Sequence, residues 1–295
     1  MKLVSYIHQN KAGAGVLNDA GLIASFHALG IDADSMNAFM DLYDQKGEAL
    51  LTNLRQAEGV TDTIPQQDAR LLSPFPHPRQ DFICVGLNYL DHAAETGRYL
   101  KDQDAQLPQH PVFFSKRANR ALGTGEPIPA HTGLVNDLDY EAELAVIIGK
   151  TAHRVPEEKA QAYILGYAIA NDISARAIQN RHRQWYVGKS LDGFALLGPW
   201  ITTADEVPYP PDLGITCHVN GEKRQDSRTS RMIFNVGRLI ASLTEGMTLL
   251  PGTVILTGTP AGVGMGNPDN LRFLKPGDTV RCEIERLGAL ENTVA

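Results

Sequence analysis

One run of eleven residues constrains this chain more than any other: Asp139-Tyr140-Glu141-Ala142-Glu143-Leu144-Ala145-Val146-Ile147-Ile148-Gly149. Its second half is apolar at every position, the composition of a strand buried on both faces. Side chains alternate along a strand, so one that begins at Tyr140 sends Glu141 and Glu143 to the same face. Two carboxylates side by side at the entry to a core strand repel, and without compensation one takes up a proton. A divalent cation removes the conflict. A third carboxylate, Asp172, ends another apolar run, Leu165–Asn171. An all-oxygen set with no nearby His or Cys suits Mg²⁺ or Mn²⁺, tolerates Ca²⁺, and does not suit zinc. The plainer alternative is a Glu pair on a solvent-facing edge strand, with Asp172 capping the next helix.

Around that run the chain divides in two. Residues 1–75 read as a small module. KLVSYIHQ and GLIASFHAL are strand-like runs separated by a Gly-rich turn, and a helical pattern follows over about 35–57. The Pro-rich stretch Ser73–Gln80 reads as the linker. Residues 80–295 are rich in β signals, with expected strands at Asp81–Gly86, Pro111–Ser115, Glu141–Ile148, Ala168–Asn171, Ile215–Val219, Thr253–Leu256 and Thr279–Ile284. Expected helices lie near 156–165, 174–183 and 234–244. Val219-Asn220-Gly221-Glu222 and Lys275-Pro276-Gly277-Asp278 are turn signals. The elements do not alternate as βαβα. An α+β fold with a mixed or antiparallel sheet is therefore expected, rather than a doubly wound one.

Composition narrows the function classes. The 295 residues are 43% hydrophobic and 21% charged, so the chain can bury a sizeable core and is not a disordered one. A net charge of -7 disfavours nucleic acid as a partner, because the phosphate backbone repels it. Cys84, Cys217 and Cys282 are odd in number and far apart, which argues against a disulfide framework or structural zinc. Cys84, in Phe82-Ile83-Cys84-Val85, reads as a buried, inert thiol. No apolar run is long enough for a membrane span and the N-terminal segment has no signal-peptide core, so a cytoplasmic protein without membrane attachment is expected.

Two further segments carry chemistry. In Asn88-Tyr89-Leu90-Asp91-His92-Ala93-Ala94-Glu95, His92 and Glu95 share a face if the segment turns helically. A carboxylate beside an imidazole can orient it and raise its basicity, giving a water-activating pair. An exposed helix with a salt bridge is the alternative. Lys189 lies among aromatic and apolar neighbours in Trp185-Tyr186-Val187-Gly188-Lys189, where a partly desolvated ammonium could stabilise an enolate; a surface lysine is the alternative. Gly188–Gly193 lacks the glycines of a phosphate loop or a nucleophile elbow, and Gly262–Gly266 opens no helix of the dinucleotide-binding kind.

Taken in order, these segments resemble the fumarylacetoacetate hydrolase family. The resemblance runs from about Asp81 to the C-terminus. It rests on Val85–Glu95, Asp139–Gly149, Asn171–Arg176, Gly188–Phe194, Val219–Glu222, Met232–Phe234 and Leu256–Gly264. It implies a β-roll-like catalytic domain, a homodimer, and a small N-terminal α+β domain ahead of it. It also implies residue roles. Glu141, Glu143 and Asp172 match ligands for Mg²⁺ or Mn²⁺. His92 and Glu95 match a catalytic dyad on a mobile lid, and Lys189 matches a lysine that contacts the keto acid. Lys116, Arg176, Gln179 and Thr259 match substrate-binding positions. Three places depart from the family pattern: Arg117 replaces a proline, Ala195-Leu196-Leu197-Gly198-Pro199 replaces a Cys-Pro-Met-Gly-Pro stretch, and Gly97–Asp102 follows no familiar pattern. These departures are expected where distal substrate groups bind.

The implied substrate is a small oxo acid. The favoured expectation is hydrolysis of an acylpyruvate-type β-diketo acid through a metal-bound enolate, with water activated by His92–Glu95. The same site would serve oxaloacetate decarboxylation, keto–enol tautomerisation, or isomerisation of an aromatic-degradation oxo-dicarboxylate. A non-catalytic binding protein on the same fold is the alternative from another class.

Overall fold

The computed structural model describes residues 1–100 and 108–295. Lys101 and Asp102, in the unfamiliar stretch noted above, lie outside the described residues.

The chain opens with strands β1 (Lys2–His8), β2 (Lys11–Leu17) and β3 (Leu22–Ser25). The Gly-rich segment expected to be a turn is itself β2. The turn is Gln9-Asn10, both at positive φ, which matches the twist of a two-residue hairpin. The helical stretch breaks at Gly47 into α1 (Met36–Lys46), capped by the Ser35 side chain, and α2 (Glu48–Leu54). Short strands β4 (Thr63–Pro65) and β5 (Arg70–Leu71) follow.

Beyond the Pro-rich stretch come β6 (Phe82–Gly86), α3 (Leu90–Leu100), β7 (Val112–Lys116), β8 (Leu138–Asp139), β9 (Ala142–Ile148), β10 (Ile164–Asp172) and β11 (Ser174–Ala175). Helices α4 (Arg176–Arg181) and α5 (Tyr186–Lys189) lead into β12 (Ala195–Thr203), β13 (Gly214–Val219) and β14 (Glu222–Arg228). Helix α6 (Val236–Thr244), capped by Asn235, precedes β15 (Val254–Leu256), β16 (Thr279–Ile284) and β17 (Gly288–Thr293). The expected helix at 156–165 is a 3-10 helix, Glu157–Tyr163. The short strands β4, β5, β8 and β11 and the long strands β12, β14 and β17 escape the sequence reading. Gly198 and Pro199 interrupt β12, and β14 and β17 are polar on their outward positions.

An eleven-stranded sheet has the order β4-β3-β2-β1-β12-β10-β9-β15-β6-β7, with β5 against β1. Among the described pairs only β15 and β6 run parallel. A second sheet, β14-β13-β16-β17, packs against the first, so the fold is α+β with a mixed sheet. Strand β9 alternates as expected. Leu144, Val146 and Ile148 pack with α6 and with Ile215 and Val280 of the small sheet, whereas Ala145 and Ile147 pack with Phe39, Met40 and Tyr43 of α1. The linker region joins rather than separates. Strand β1 pairs with β12, and residues of 1–75 share one apolar core with β9, β10 and β15. Cys84, Cys217 and Cys282 are all free and buried, and burial pushes the Cys84 thiol well up. No helix among the described residues is long and apolar enough to cross a membrane.

Candidate active site

Antiparallel pairing of β9 with β10 sets the start of one strand against the end of the other. Asp172 therefore meets Glu141: its backbone N–H donates to the Glu141 carbonyl at 2.9 Å. Asn171 accepts the Glu141 N–H through its side chain at 3.0 Å. Glu141, Glu143 and Asp172 are all buried, and each offers an oxygen within 4.8 Å of the others. The edge-strand alternative does not hold for β9, which lies inside the sheet.

Three buried cations surround the carboxylates. Lys189 Nζ donates to Glu141 Oε2 at 2.6 Å and to Asp172 Oδ2 at 2.7 Å. It gets there because Gly188 lets α5 lie directly on α4; a Cβ at that position would stand 2.4 Å from the Gln179 nitrogen. Arg176 Nη2 pairs with Glu141 Oε1 at 2.7 Å and its Nε with Asp139 Oδ2 at 2.8 Å. Lys116 Nζ pairs with Asp172 Oδ1 at 2.6 Å. Burial works against the Glu141 carboxylate, but Lys189 and Arg176 outweigh it and hold it well below the usual carboxylate range. Burial likewise opposes the Lys189 ammonium, yet Asp172 and Glu141 push it up to about 12.

Glu143 is different. It has no ion pair among the described residues and accepts the Gly258 N–H at 2.7 Å. Burial, together with Asp172 and Glu141, pushes it well above the usual range. Four buried carboxylates, Asp139, Glu141, Glu143 and Asp172, face three buried cations, Lys116, Arg176 and Lys189. One carboxyl, Glu143, is left without a cation among the described residues, and it sits where three carboxyl groups converge. Such an oxygen-only set, short of positive charge, fits a hard divalent cation.

The sequence-derived residues Glu141, Glu143, Arg176, Gln179, Lys189, His92 and Thr259 line one enclosed space with Trp185, Phe114 and Gly86. His92 and Glu95 lie on α3, as expected, and His92 is buried. They are not hydrogen-bonded: His92 Nδ1 is 3.7 Å from Glu95 Oε2, beyond bonding reach. Glu95 instead accepts the Gly262 N–H at 3.0 Å. Thr259 is tied down by donating to the Ala142 carbonyl at 2.9 Å and accepting from Gln225 at 2.8 Å. Gln179 accepts from Arg176 at 3.1 Å.

Lys116 departs from its expected place in the pocket wall. Its ammonium has three donors. Asp172, the Ile173 carbonyl at 2.9 Å and the Lys189 carbonyl at 2.6 Å take them, which leaves none for substrate. Burial lowers its pKa, with Asp172 opposing. Two sequence departures also fall away from the pocket. Ala195–Pro199 is interior strand, with Ala195 paired to Asp172 through the backbone, and Arg117 is exposed beside Asp81.

Sequence reasoning passed over two residues that hold the site together. Asp139 gathers the Gly264 N–H at 2.6 Å, the Met265 N–H at 3.1 Å and the Arg176 guanidinium. Its signal was present, since it opens the Asp139–Gly149 run. Gln225 accepts the Ala142 N–H at 3.0 Å and donates to Thr259 and to the Pro260 carbonyl. Nothing in the polar run Glu222–Arg228 distinguishes it.

A sequence model of the fumarylacetoacetate (FAA) hydrolase C-terminal region matches residues 81–295. The chain belongs to the fumarylacetoacetate hydrolase family. It is 41% identical over 227 residues to the oxaloacetate tautomerase YisK of Bacillus subtilis, covering 77% of this chain and 73% of that protein. It is 38% identical over 283 residues to a mitochondrial oxaloacetate tautomerase of Xenopus laevis, covering 94% and 84%. Among solved structures, the fumarylacetoacetate hydrolase of Exiguobacterium antarcticum superposes with a TM-score of 0.84 at 36% identity, covering 100% of this chain and 99% of that one. The maleylpyruvate hydrolase of Sphingobium sp. SYK-6, solved with manganese(II) and pyruvate, gives 0.79 at 30% identity, with the same coverage. The chain is thus an enzyme of this family, built to hold a divalent metal.

Proposed function

We propose that the protein is an oxaloacetate keto–enol tautomerase. The observation that carries this reading over hydrolysis is the state of the His92–Glu95 pair. Glu95 is held by the Gly262 N–H, and His92 Nδ1, buried, has no hydrogen-bond partner among the described residues. An imidazole in that state is suited to carrying a proton, whereas a water-activating dyad would require Glu95 to turn from Gly262 to His92. The similarity to oxaloacetate tautomerases supports the same choice.

A divalent ion on Glu141, Glu143 and Asp172 would supply Lewis-acid polarisation of the 2-oxo group, with Mg²⁺ and Mn²⁺ both suited to the oxygen set. The chain does the rest. Arg176 and Lys189 present positive charge to a dicarboxylate, and both are fixed in place by buried acidic partners. His92 takes a proton from C3 of the keto form. The C–H electron pair becomes the C2–C3 double bond, the carbonyl pair moves to the C2 oxygen, and the proton held by His92 is delivered to that oxygen, which restores the neutral imidazole. No water is consumed.

The second reading is hydrolysis of a β-diketo acid. It is favoured by the small gap between His92 and Glu95, and by the likeness to the maleylpyruvate hydrolase. The test is a parallel time course on oxaloacetate and acetylpyruvate, with Mg²⁺ or Mn²⁺ and then with chelator. Chelator-sensitive acceleration of enol–keto exchange in oxaloacetate is expected. Release of pyruvate and acetate from acetylpyruvate, with oxaloacetate exchange unaccelerated, would replace this reading with the hydrolase.

A further inference from the structure

Lys189 stands at the carboxylate cluster, and its Nζ lies 5.4 Å from the centre of the Phe114 ring. Phe114 in turn meets Trp185 edge to face, with 5.2 Å between ring centres. Trp185 closes the series by resting on Gly86. A Cβ at Gly86 would stand 2.1 Å from its Cζ3 atom, so the indole lies against bare backbone. Trp185 is half-buried, between the enclosed space and solvent, and its neighbours Tyr186 and Val187 are 39% and 40% exposed. The space it helps line is small, about 30 Å³.

We propose that the Trp185 indole, seated on Gly86 and Phe114, is the specificity-determining wall that limits the size of the group a 2-oxo acid carries away from the carboxylate cluster. At the charged end of the pocket Arg176 and Lys189 are held by buried acidic partners and do not gauge the size of a distal group. Selection falls to the aromatic end. There a large flat ring, with no hydrogen bond among the described residues to its indole nitrogen, occupies the volume that a longer or bulkier distal group would need. A short dicarboxylate fits in front of the ring, and an aromatic distal group collides with it. Removing the ring opens space flanked by Gly86 and Phe114, an apolar lining that favours just such a group.

This inference rests on the tautomerase reading for its kinetic test. Phenylpyruvate undergoes the same keto–enol exchange as oxaloacetate but carries a bulky apolar group. The experiment measures kcat/KM for both acids in the Mn²⁺-loaded wild type, Trp185→Ala and Trp185→Phe. Trp185→Ala is expected to raise the phenylpyruvate-to-oxaloacetate ratio by about tenfold or more. Trp185→Phe, which keeps an aromatic ring on Gly86, should fall between. An unchanged ratio in a folded Trp185→Ala protein overturns the proposal.

A binding measurement separates this outcome from failure of the tautomerase reading. If the wild type does not accelerate exchange in oxaloacetate, phenylpyruvate affinity is measured by calorimetry on the same Mn²⁺-loaded proteins. Tighter binding to Trp185→Ala than to wild type supports the wall, and equal affinity overturns it. Trp185 and Trp200 are the two tryptophans, so a Trp200→Phe chain reports Trp185 fluorescence alone. Its emission should change on binding phenylpyruvate and hold steady with pyruvate. Identical responses to both count against the proposal.

Discussion

Lys189 donates to Glu141 at 2.6 Å, across a separation of 48 residues in the chain. The bond joins the last turn of α5 to the start of β9. It places an ammonium inside the carboxylate cluster, where one of its partners is also a candidate metal ligand. Lys189 therefore offsets part of the cluster's negative charge, and Glu143, the carboxyl without a cation among the described residues, is pushed well above the usual range by burial and by Asp172 and Glu141.

Glu143→Gln removes the carboxylate that has no cationic partner. Divalent-metal affinity should fall by at least about 100-fold, since even outer-shell partners of a metal site are worth 10- to 100-fold. Titration calorimetry with Mn²⁺ reads this directly. Wild-type affinity in the variant would sink the ligand assignment.

The raised pKa of Glu143 sets a pH dependence. A carboxyl whose folded pKa is raised stabilises the fold below its ordinary value of 4.5, and that contribution is lost as pH climbs through the raised value. Glu141, held low by Lys189 and Arg176, has the opposite sign: its contribution is lost only on strong acidification. Above pH 4.5 the Glu143 effect governs the cluster, because Glu141 is already ionised there. Metal must displace the Glu143 proton, so the rise in Tm on adding Mn²⁺ should grow with pH over that window. A rise that is constant or shrinks with pH contradicts the assignment.

His92→Ala should abolish enol–keto exchange while leaving Mn²⁺ affinity within a few-fold of wild type, because His92 serves proton transfer and holds no metal. The two readouts are a single-turnover assay and calorimetry. Retained exchange in the variant would remove His92 from the mechanism.

Lys116→Met strips Asp172 of a fully buried partner and releases the Ile173 and Lys189 carbonyls. A loss of about 3 kcal/mol in unfolding free energy is expected in the metal-free protein. Denaturant titration checks it. A variant as stable as wild type would mean that Lys116 is not a structural brace.

Gln225→Ala frees three buried backbone and side-chain groups at once: the Ala142 N–H, the Thr259 hydroxyl and the Pro260 carbonyl. A cost of about 2 kcal/mol is expected. Hydrogen exchange should locate the loosening at Thr257–Gly266 and the start of β9. Uniform exchange across the chain would show that the strap is not local.

The sequence alone carried the local patterns. Period-two alternation put Glu141 and Glu143 on one face of β9, the apolar run marked β9 as interior, and Asn220-Gly221 marked the β13–β14 hairpin. Glu141, Glu143, Asp172, His92, Glu95 and Lys189 were all named from the sequence, which favoured hydrolysis and did not separate it from decarboxylation or tautomerisation. Tertiary structure decided what depends on distant segments meeting. A linker composition at 73–80 cannot reveal that β1 pairs with β12 and extends the main sheet. Lys116 and Lys189 are both lysines among apolar neighbours. Only their partners separate a brace behind Asp172 from a cation inside the cluster. Gln225 and Trp185 acquire their roles from contacts 34 or more residues away in sequence, Gln225 with Thr259 and Trp185 with Gly86. Burial and hydrogen-bond partners are properties of the packed chain, and a solvated-looking run such as Glu222–Arg228 shows neither until its own sheet packs against the main one.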